Sequence, residues 1–262
     1  MKTVLITGGT SGLGLELVKY FLRKGFAVYA TGREGKQISG LGESVRFVKV
    51  DFSEPADVIN SIRSLLAQGI RFDIVINNAG VLSPPEFTIC SNGIELTYQV
   101  NFISHLLIND LIIKDSDNIK PQIFVSVTSP VYKLVKPEFR LPEPEKYRSF
   151  KTYAESKYYM LLTGDYLMNK YPGKNLKFIG FNPGTFSSQI YRMQKRWFRN
   201  LYLVAGPFMK GPARVAAALG DVLTGTVILN GMIYKSRNSF TEIESYDKDD
   251  ARNFIDECSA II

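Results

Sequence analysis

The sequence predicts an α/β protein, a doubly wound parallel sheet of about seven strands with helices on both faces. Three observations predict it. Short apolar runs recur along the chain, as expected of strands buried on both faces. Segments of helical periodicity lie between them. A glycine-rich turn, "GGTSGLG", follows the first run directly.

The elements follow in order. "TVLIT" (3–7) reads as the first strand. After the glycines, Leu13, Leu17, Val18, Phe21 and Leu22 recur at helical spacing, and Gly25 closes the segment. "FAVYAT" (26–31) and "VRFVKV" (45–50) are strands two and three. "PADVINSIRSLLAQG" (55–69) is a helix with proline near its start and glycine near its end. "FDIVINNAG" (72–80) contains strand four, and a long helix is expected over much of 93–113. "PQIFVSVTS" (121–129) is strand five, followed by a helix through about 152–170. "NLKFIGFNPG" (175–184) is strand six, and "GMIY" (231–234) a short seventh. Alternating strands and helices with right-handed crossovers give a doubly wound sheet. No internal repeat or interdomain linker interrupts the pattern, so one domain over 1–262 is expected. The Pro-rich, charged stretch "VKPEFRLPEPEKYRS" (135–149) reads as part of an inserted surface loop at about 131–150.

Composition narrows the function. The chain has 262 residues with 45% hydrophobic and 22% charged content, enough for a substantial core in a folded protein. No apolar run is long enough for a membrane span, and the apolar part of "MKTVLITGG" is too short for a secretory signal. A cytoplasmic location is expected. Cys90 and Cys258 are isolated, and His105 is the one histidine. That leaves little for a zinc site or a Ser-His-Asp triad, so no metal is expected. The net charge of +7 is spread without a long Lys/Arg block, which argues against nucleic acid as a partner.

The glycines of "TGGTSGLG" (7–14) are spaced G-x-x-x-G-x-G, at Gly8, Gly12 and Gly14. Between a strand and an amphipathic helix, such a turn lets a pyrophosphate approach the backbone at a helix N-terminus. An acidic residue at the end of strand two would bind ribose hydroxyls and favour NAD. That strand instead ends "YATGRE", and Arg33 suits a 2′-phosphate, which favours NADP(H) over NAD(H), although Glu34 stands beside it. Asp51, just after strand three, is placed for the adenine amino group, with an ordinary strand-end aspartate as the competing reading. Tyr153 and Lys157, in "YAESK", sit four apart and share a helix face. A nearby cation favours a phenolate, so the pair suits proton transfer near neutral pH.

"TGGTSGLG", "NNAG" (77–80), Asn101, Ser129, "YAESK" (153–157) and "NPG" (182–184) occur together and in order. The set resembles a classical short-chain dehydrogenase/reductase, strongly over about residues 1–190. The resemblance implies a Rossmann fold and an oxidoreductase acting on a carbonyl/alcohol pair. Tyr153 would be the general acid for reduction and the base for oxidation. Lys157 would lower the tyrosine pKa and hold the nicotinamide ribose. Ser129 would hydrogen-bond the substrate oxygen, and Asn101 would support a water linking Lys157 to solvent. Gly8, Thr10, Ser11, Gly12, Leu13, Gly14, Arg33, Asp51, Phe52, Asn78, Ala79 and Gly80 would line the cofactor. Pro183, Gly184, Thr185 and Ser188 would pass near the nicotinamide, Ser188 standing where a threonine is common.

The proline after Ser129 is unusual for the family, and the gap from Ser129 to Tyr153 is long. Members resembling retinol dehydrogenases carry such an insertion, and "GIELTYQVNFISHLLINDLI" (93–112) resembles that branch too. The analogy implies a lipophilic carbonyl or alcohol. His105, four residues after Asn101, reads as a packed or surface histidine rather than a catalytic one. The stretch 191–211, within about 186–211, corresponds to a substrate lid in the family. An ordinary packed helix has equal standing, and contact with a membrane surface is a lesser reading. Relatives assemble commonly through the helices near 93–113 and 152–170, which implies a homodimer or homotetramer, a point the insertion leaves open. The alternatives are an NAD-dependent alcohol dehydrogenase of the same family, or a cofactor-binding regulator without catalysis.

Overall fold

A computed structural model describes residues 1–116, 120–184, 211–225 and 227–261. Strands β1 (Thr3–Ile6), β2 (Ala27–Gly32), β3 (Val45–Lys49), β4 (Ile74–Asn77), β5 (Gln122–Val127), β6 (Leu176–Phe181), β7 (Met232–Ser236) and β8 (Ser239–Glu242) form one sheet. The order is β3-β2-β1-β4-β5-β6-β7-β8, parallel except for the antiparallel β7–β8 pair. The count is eight rather than about seven. β8 is exposed along its length, so it carries no apolar alternation to betray it in the sequence.

The pleat explains the two-sided core. Leu5, Val75 and Phe124 point to one face, while Val4, Ile6, Ile74, Ile76 and Val125 point to the other. The first face is covered by α2 (Pro55–Ala67), α4 (Ser104–Lys114) and α5 (Ser149–Lys170). The second is covered by α1 (Gly12–Arg23) and α6 (Pro212–Leu223), through Leu17, Val18, Phe21, Val215 and Leu219. α1 and α6 meet closely at Gly220, where a Cβ would stand 2.1 Å from the Tyr20 ring. Tyr20 also donates to Asp221 at 3.1 Å.

The helix expected over 93–113 is broken in a specific way. After the single turn α3 (Leu96–Tyr98), residues Gln99–Ile103 form a π-helical turn that leads into α4. The wider turn contains Asn101. Such bulges recur where a backbone must present a functional residue.

The stretch after Ser129 does more than cross the surface. Pro130 opens a short 3₁₀ turn, a position where its missing N–H costs nothing. Tyr132 is buried, and Phe139, at φ +46°, places its ring against Tyr159 and Phe254. Tyr147 donates to the carbonyl of Pro84 at 2.8 Å, and Glu138 pairs with Lys151. The outermost layer is α7 (Lys248–Ala260), which lays Phe254 on Tyr159 at 4.7 Å between ring centres.

Candidate active site

The glycine turn, "NNAG", Ser129 and "NPG" each follow the carboxyl end of a parallel strand, β1, β4, β5 and β6, while Asn101 and "YAESK" lie on helical segments packed against that end. The β1–β4 neighbours mark the point where strand order reverses, the usual place for a ligand in such sheets.

The glycine turn has the required backbone. Gly8 and Gly12 have φ of +63° and +53°, a region side chains disfavour. A Cβ on Gly14 would stand 2.1 Å from the Gly8 carbonyl oxygen, so only glycine lets α1 start this close to the turn. A Cβ on Gly12, in contrast, would meet nothing within 4 Å. The turn is tight inward and open outward at the head of α1, whose first turn has no acidic residue. That combination fits a phosphate-bearing ligand. Thr10 lies against the end of β2, its Oγ1 2.7 Å from where a Gly32 Cβ would be. Arg33, exposed and next in sequence, therefore flanks the turn. Ser11 and Leu13 flank Gly12 at the start of α1, with Leu13 buried.

Asp51 points into its own turn, accepting from Ser53 N–H at 3.0 Å and Ser53 O–H at 2.7 Å. Phe52 is buried against the His105 ring at 5.5 Å. Asn78 donates its side-chain amide to the Thr7 carbonyl at 2.8 Å, fastening the end of β4 to the turn. The backbone amides of Asn78 and Ala79 both donate to Thr7 Oγ1, at 2.8 and 2.9 Å.

Gly80 is the meeting point. A Cβ there would be 3.2 Å from both Asn101 Oδ1 and Lys157 Nζ. Asn101 clamps the next residue: its Oδ1 accepts from Val81 N–H at 2.8 Å and its Nδ2 donates to the Val81 carbonyl at 3.0 Å. The same Nδ2 donates to Ser156 Oγ at 3.0 Å.

α5 is docked on β5 by a run of bonds. Ser126 Oγ donates to Met160 O at 3.0 Å, Thr128 Oγ1 to Lys157 O at 3.2 Å, and Lys157 Nζ to Val127 O at 3.1 Å. Ser129 follows β5 in extended backbone and precedes the Pro130 turn. Ser126 and Thr128, the alternatives to Ser129, are committed to this docking. Tyr153 is 8% exposed and Lys157 3%. Burial lowers the Lys157 pKa to about 8.

Pro183 and Gly184 follow β6, with Gly184 at φ +70° and its N–H donating to Asn182 Oδ1 at 3.0 Å. Thr185, Ser188 and the proposed lid lie outside the described residues, apart from Gly211 at its end. Thr7, Val81, His105 and Ser156 join the site although nothing assigned them a role from sequence. The signal for His105 was its spacing from Asn101. It is a packed residue, as expected, and its bonds are described below.

The family model described as "short chain dehydrogenase" matches residues 2–139 of the 262. Retinol dehydrogenase 11 of Homo sapiens is 27% identical over 242 residues, covering 88% of this chain and 76% of its own length. Short-chain dehydrogenase TIC 32 A, chloroplastic, of Brassica napus is 29% identical, covering 72% and 65%. The chain thus spans about two thirds to three quarters of these relatives. Among solved structures, a 3-ketoacyl-(acyl-carrier-protein) reductase of Brucella melitensis complexed with NADH superposes with TM-score 0.67 at 18% identity, covering 90% of this chain and 97% of that one. A short-chain dehydrogenase of Sphingobium yanoikuyae in complex with NADPH gives TM-score 0.66 at 20% identity, covering 85% and 84%. At such identities the superpositions speak for the Rossmann fold alone. Taken with the family match and the retinol-dehydrogenase-like relatives, the chain belongs to the short-chain dehydrogenase family of oxidoreductases.

Proposed function

We propose that this protein is an NADP(H)-dependent oxidoreductase that interconverts a lipophilic carbonyl and its alcohol, working as a single domain. The observation that carries the reading is the buried Lys157, one turn after Tyr153, with its ammonium over Gly80. Gly8, Gly12, Gly14 and Asn78–Gly80 would hold the dinucleotide, which when bound supplies or accepts the hydride. Tyr153 donates the phenolic proton to the carbonyl oxygen in reduction and takes it back in oxidation. The Lys157 charge stabilises the phenolate left behind. Ser129 donates to the substrate oxygen as charge builds on it. Asn101 holds Val81 and Ser156, and so fixes the wall against which Lys157 rests.

Arg33 beside the glycine turn supports NADP(H), and the retinol dehydrogenase relatives support a lipophilic substrate. The apparent rival is an NAD-dependent alcohol dehydrogenase, favoured by Glu34 next to Arg33. No helix among the described residues is long and apolar enough to cross a membrane. Fluorescence titration with NADPH and NADH, then consumption assays over aldehydes and ketones of graded size, test the reading. Arg33→Ala is expected to raise KM for NADPH far more than for NADH, and equal effects would remove the phosphate contact. Tyr153→Phe is expected to lower turnover by about 10²–10⁴-fold with NADPH binding retained. Unchanged turnover would eliminate the proposed acid.

A further inference from the structure

His105 is 1% exposed and sits between two groups of the site. Its Nδ1 lies 3.0 Å from the backbone carbonyl oxygen of Asn101. A carbonyl only accepts, so Nδ1 carries a proton. Its Nε2 lies 3.0 Å from Thr7 Oγ1. That hydroxyl oxygen already receives the amides of Asn78 and Ala79, which use both of its lone pairs. The hydroxyl has only its own proton to offer. The alternative acceptor, the Ile76 carbonyl, is longer at 3.3 Å. Thr7 therefore donates to a bare Nε2, and the imidazole is the neutral Nδ1–H tautomer. Burial supports this by holding the histidine pKa down to about 3, helped by the Lys157 charge and opposed by the Asn101 bond. The neighbouring Phe52 ring packs beside the imidazole.

We propose that His105 is a positioning residue, a neutral imidazole that sets the direction of a hydrogen-bond chain from the amides of Asn78 and Ala79, through Thr7, to the carbonyl of Asn101. The chain closes a loop of constraints. Residues 78 and 79 hang from Thr7, Val81 is clamped by the Asn101 side chain, and His105 joins Thr7 to Asn101. Gly80 lies between the two grips, at the point where Asn101 Oδ1 and Lys157 Nζ converge. An imidazole with a proton on Nε2 would face Thr7 with a donor. The hydroxyl would then have to turn, and an amide of the 78–79 segment would lose its acceptor. As a claim about nucleotide binding, the inference rests on the function proposed above.

Two readouts on the purified full chain separate the two ideas. One is hydrogen–deuterium exchange of the backbone over 78–81 without nucleotide. The other is NADPH affinity by fluorescence titration. His105→Phe keeps a ring but removes both bonds, and loss of the one to Thr7 is expected to speed exchange and weaken NADPH binding by about tenfold each. His105→Gln, whose side-chain carbonyl can accept the Thr7 proton, is expected to restore both to near wild type. His105→Asn, which keeps only the Asn101 bond, is expected to behave like phenylalanine. Wild-type exchange and affinity in His105→Phe would overturn the proposal. Should that variant not fold, equal exchange in the Gln and Asn variants would do the same. A wild-type protein that binds neither nucleotide would end the functional reading, while the exchange data would still decide the role of His105.

Discussion

The two faces of α5 are both buried, yet they are built on opposite terms. The inner face carries Tyr153, Ser156 and Lys157 against β5 and the π-helical turn. Among the described residues, the Lys157 ammonium finds the Val127 carbonyl at 3.1 Å and a methionine sulfur at 4.0 Å, and no carboxylate within pairing distance. The outer face is aromatic. Tyr159 packs on Tyr98, Phe102, Phe139 and Phe254, and Tyr98 donates to Glu155 at 3.1 Å. Its charged neighbour, Glu155, has Lys151 at 3.8 Å. Burial alone thus does not mark the site. A buried cation left without a counter-charge does, because a stable fold gains nothing from it.

Removing that cation is the strongest way to break the comparison. Lys157→Met is expected to lower turnover by about two orders of magnitude or more, the usual scale for a group that assists proton transfer. It is also expected to raise the melting temperature of the nucleotide-free protein. The folded-state pKa, about 8, lies below the ordinary 10.5. The unfolded chain therefore holds more protons between those values, and stability rises with pH across that window. Thermal melts at pH 7 and pH 10 should show the variant's advantage shrinking at the higher pH. A variant less stable than wild type at pH 7 would mean that the cation has a partner that supports the fold.

The outer face should respond the other way. Phe254→Ala removes a fully buried ring and is expected to cost about 3–5 kcal/mol by denaturant titration. Turnover per folded molecule should hold. A loss of activity without a loss of stability would show that the outer layer reaches the chemistry.

Glu155→Gln is the smallest test and the sharpest. Burial raises the folded-state pKa of Glu155 above 4.5. The native protein then binds the extra proton above pH 4.5, so this carboxyl favours folding in acid and loses that benefit as pH rises through its folded value. The glutamine variant should melt slightly higher than wild type at pH 8 and equally at pH 4.5. A lower melting temperature at pH 8 would indicate that the Lys151 pairing outweighs burial.

Legibility differed along the same line. β1, β2, β4, β5 and β6 were readable because strands largely buried on both faces read as apolar runs, and the glycine turn because its spacing is dictated by backbone approach. Asn101, Tyr153 and Lys157 were readable as residue types in an ordered set, and the structure gathers Asn101 and Lys157 around Gly80. β8 was not, because it is exposed. α6 and α7 had signals that went unused: Pro212 at a helix start, and Ala251, Phe254, Ile255 and Cys258 on one buried stripe. The break at Gln99–Ile103 had none, since a π-helical turn and an α-helix draw on the same residues. The direction of the His105 bonds depends on Thr7, 98 positions away, and no local pattern can express it.

The packing of α7 on α5 has a consequence for synthesis. Tyr166, on α5, donates to Asp256, a partner 90 residues later. At ~5–20 residues per second, the ribosome leaves the aromatic side of α5 uncovered for several seconds to well over ten. During that interval the nascent chain leaves bare the side of the Tyr159 ring that Phe254 later covers, and Tyr166 lacks its Asp256 partner. Expression yield should therefore depend on chaperone capacity more than on the equilibrium stability of the finished protein.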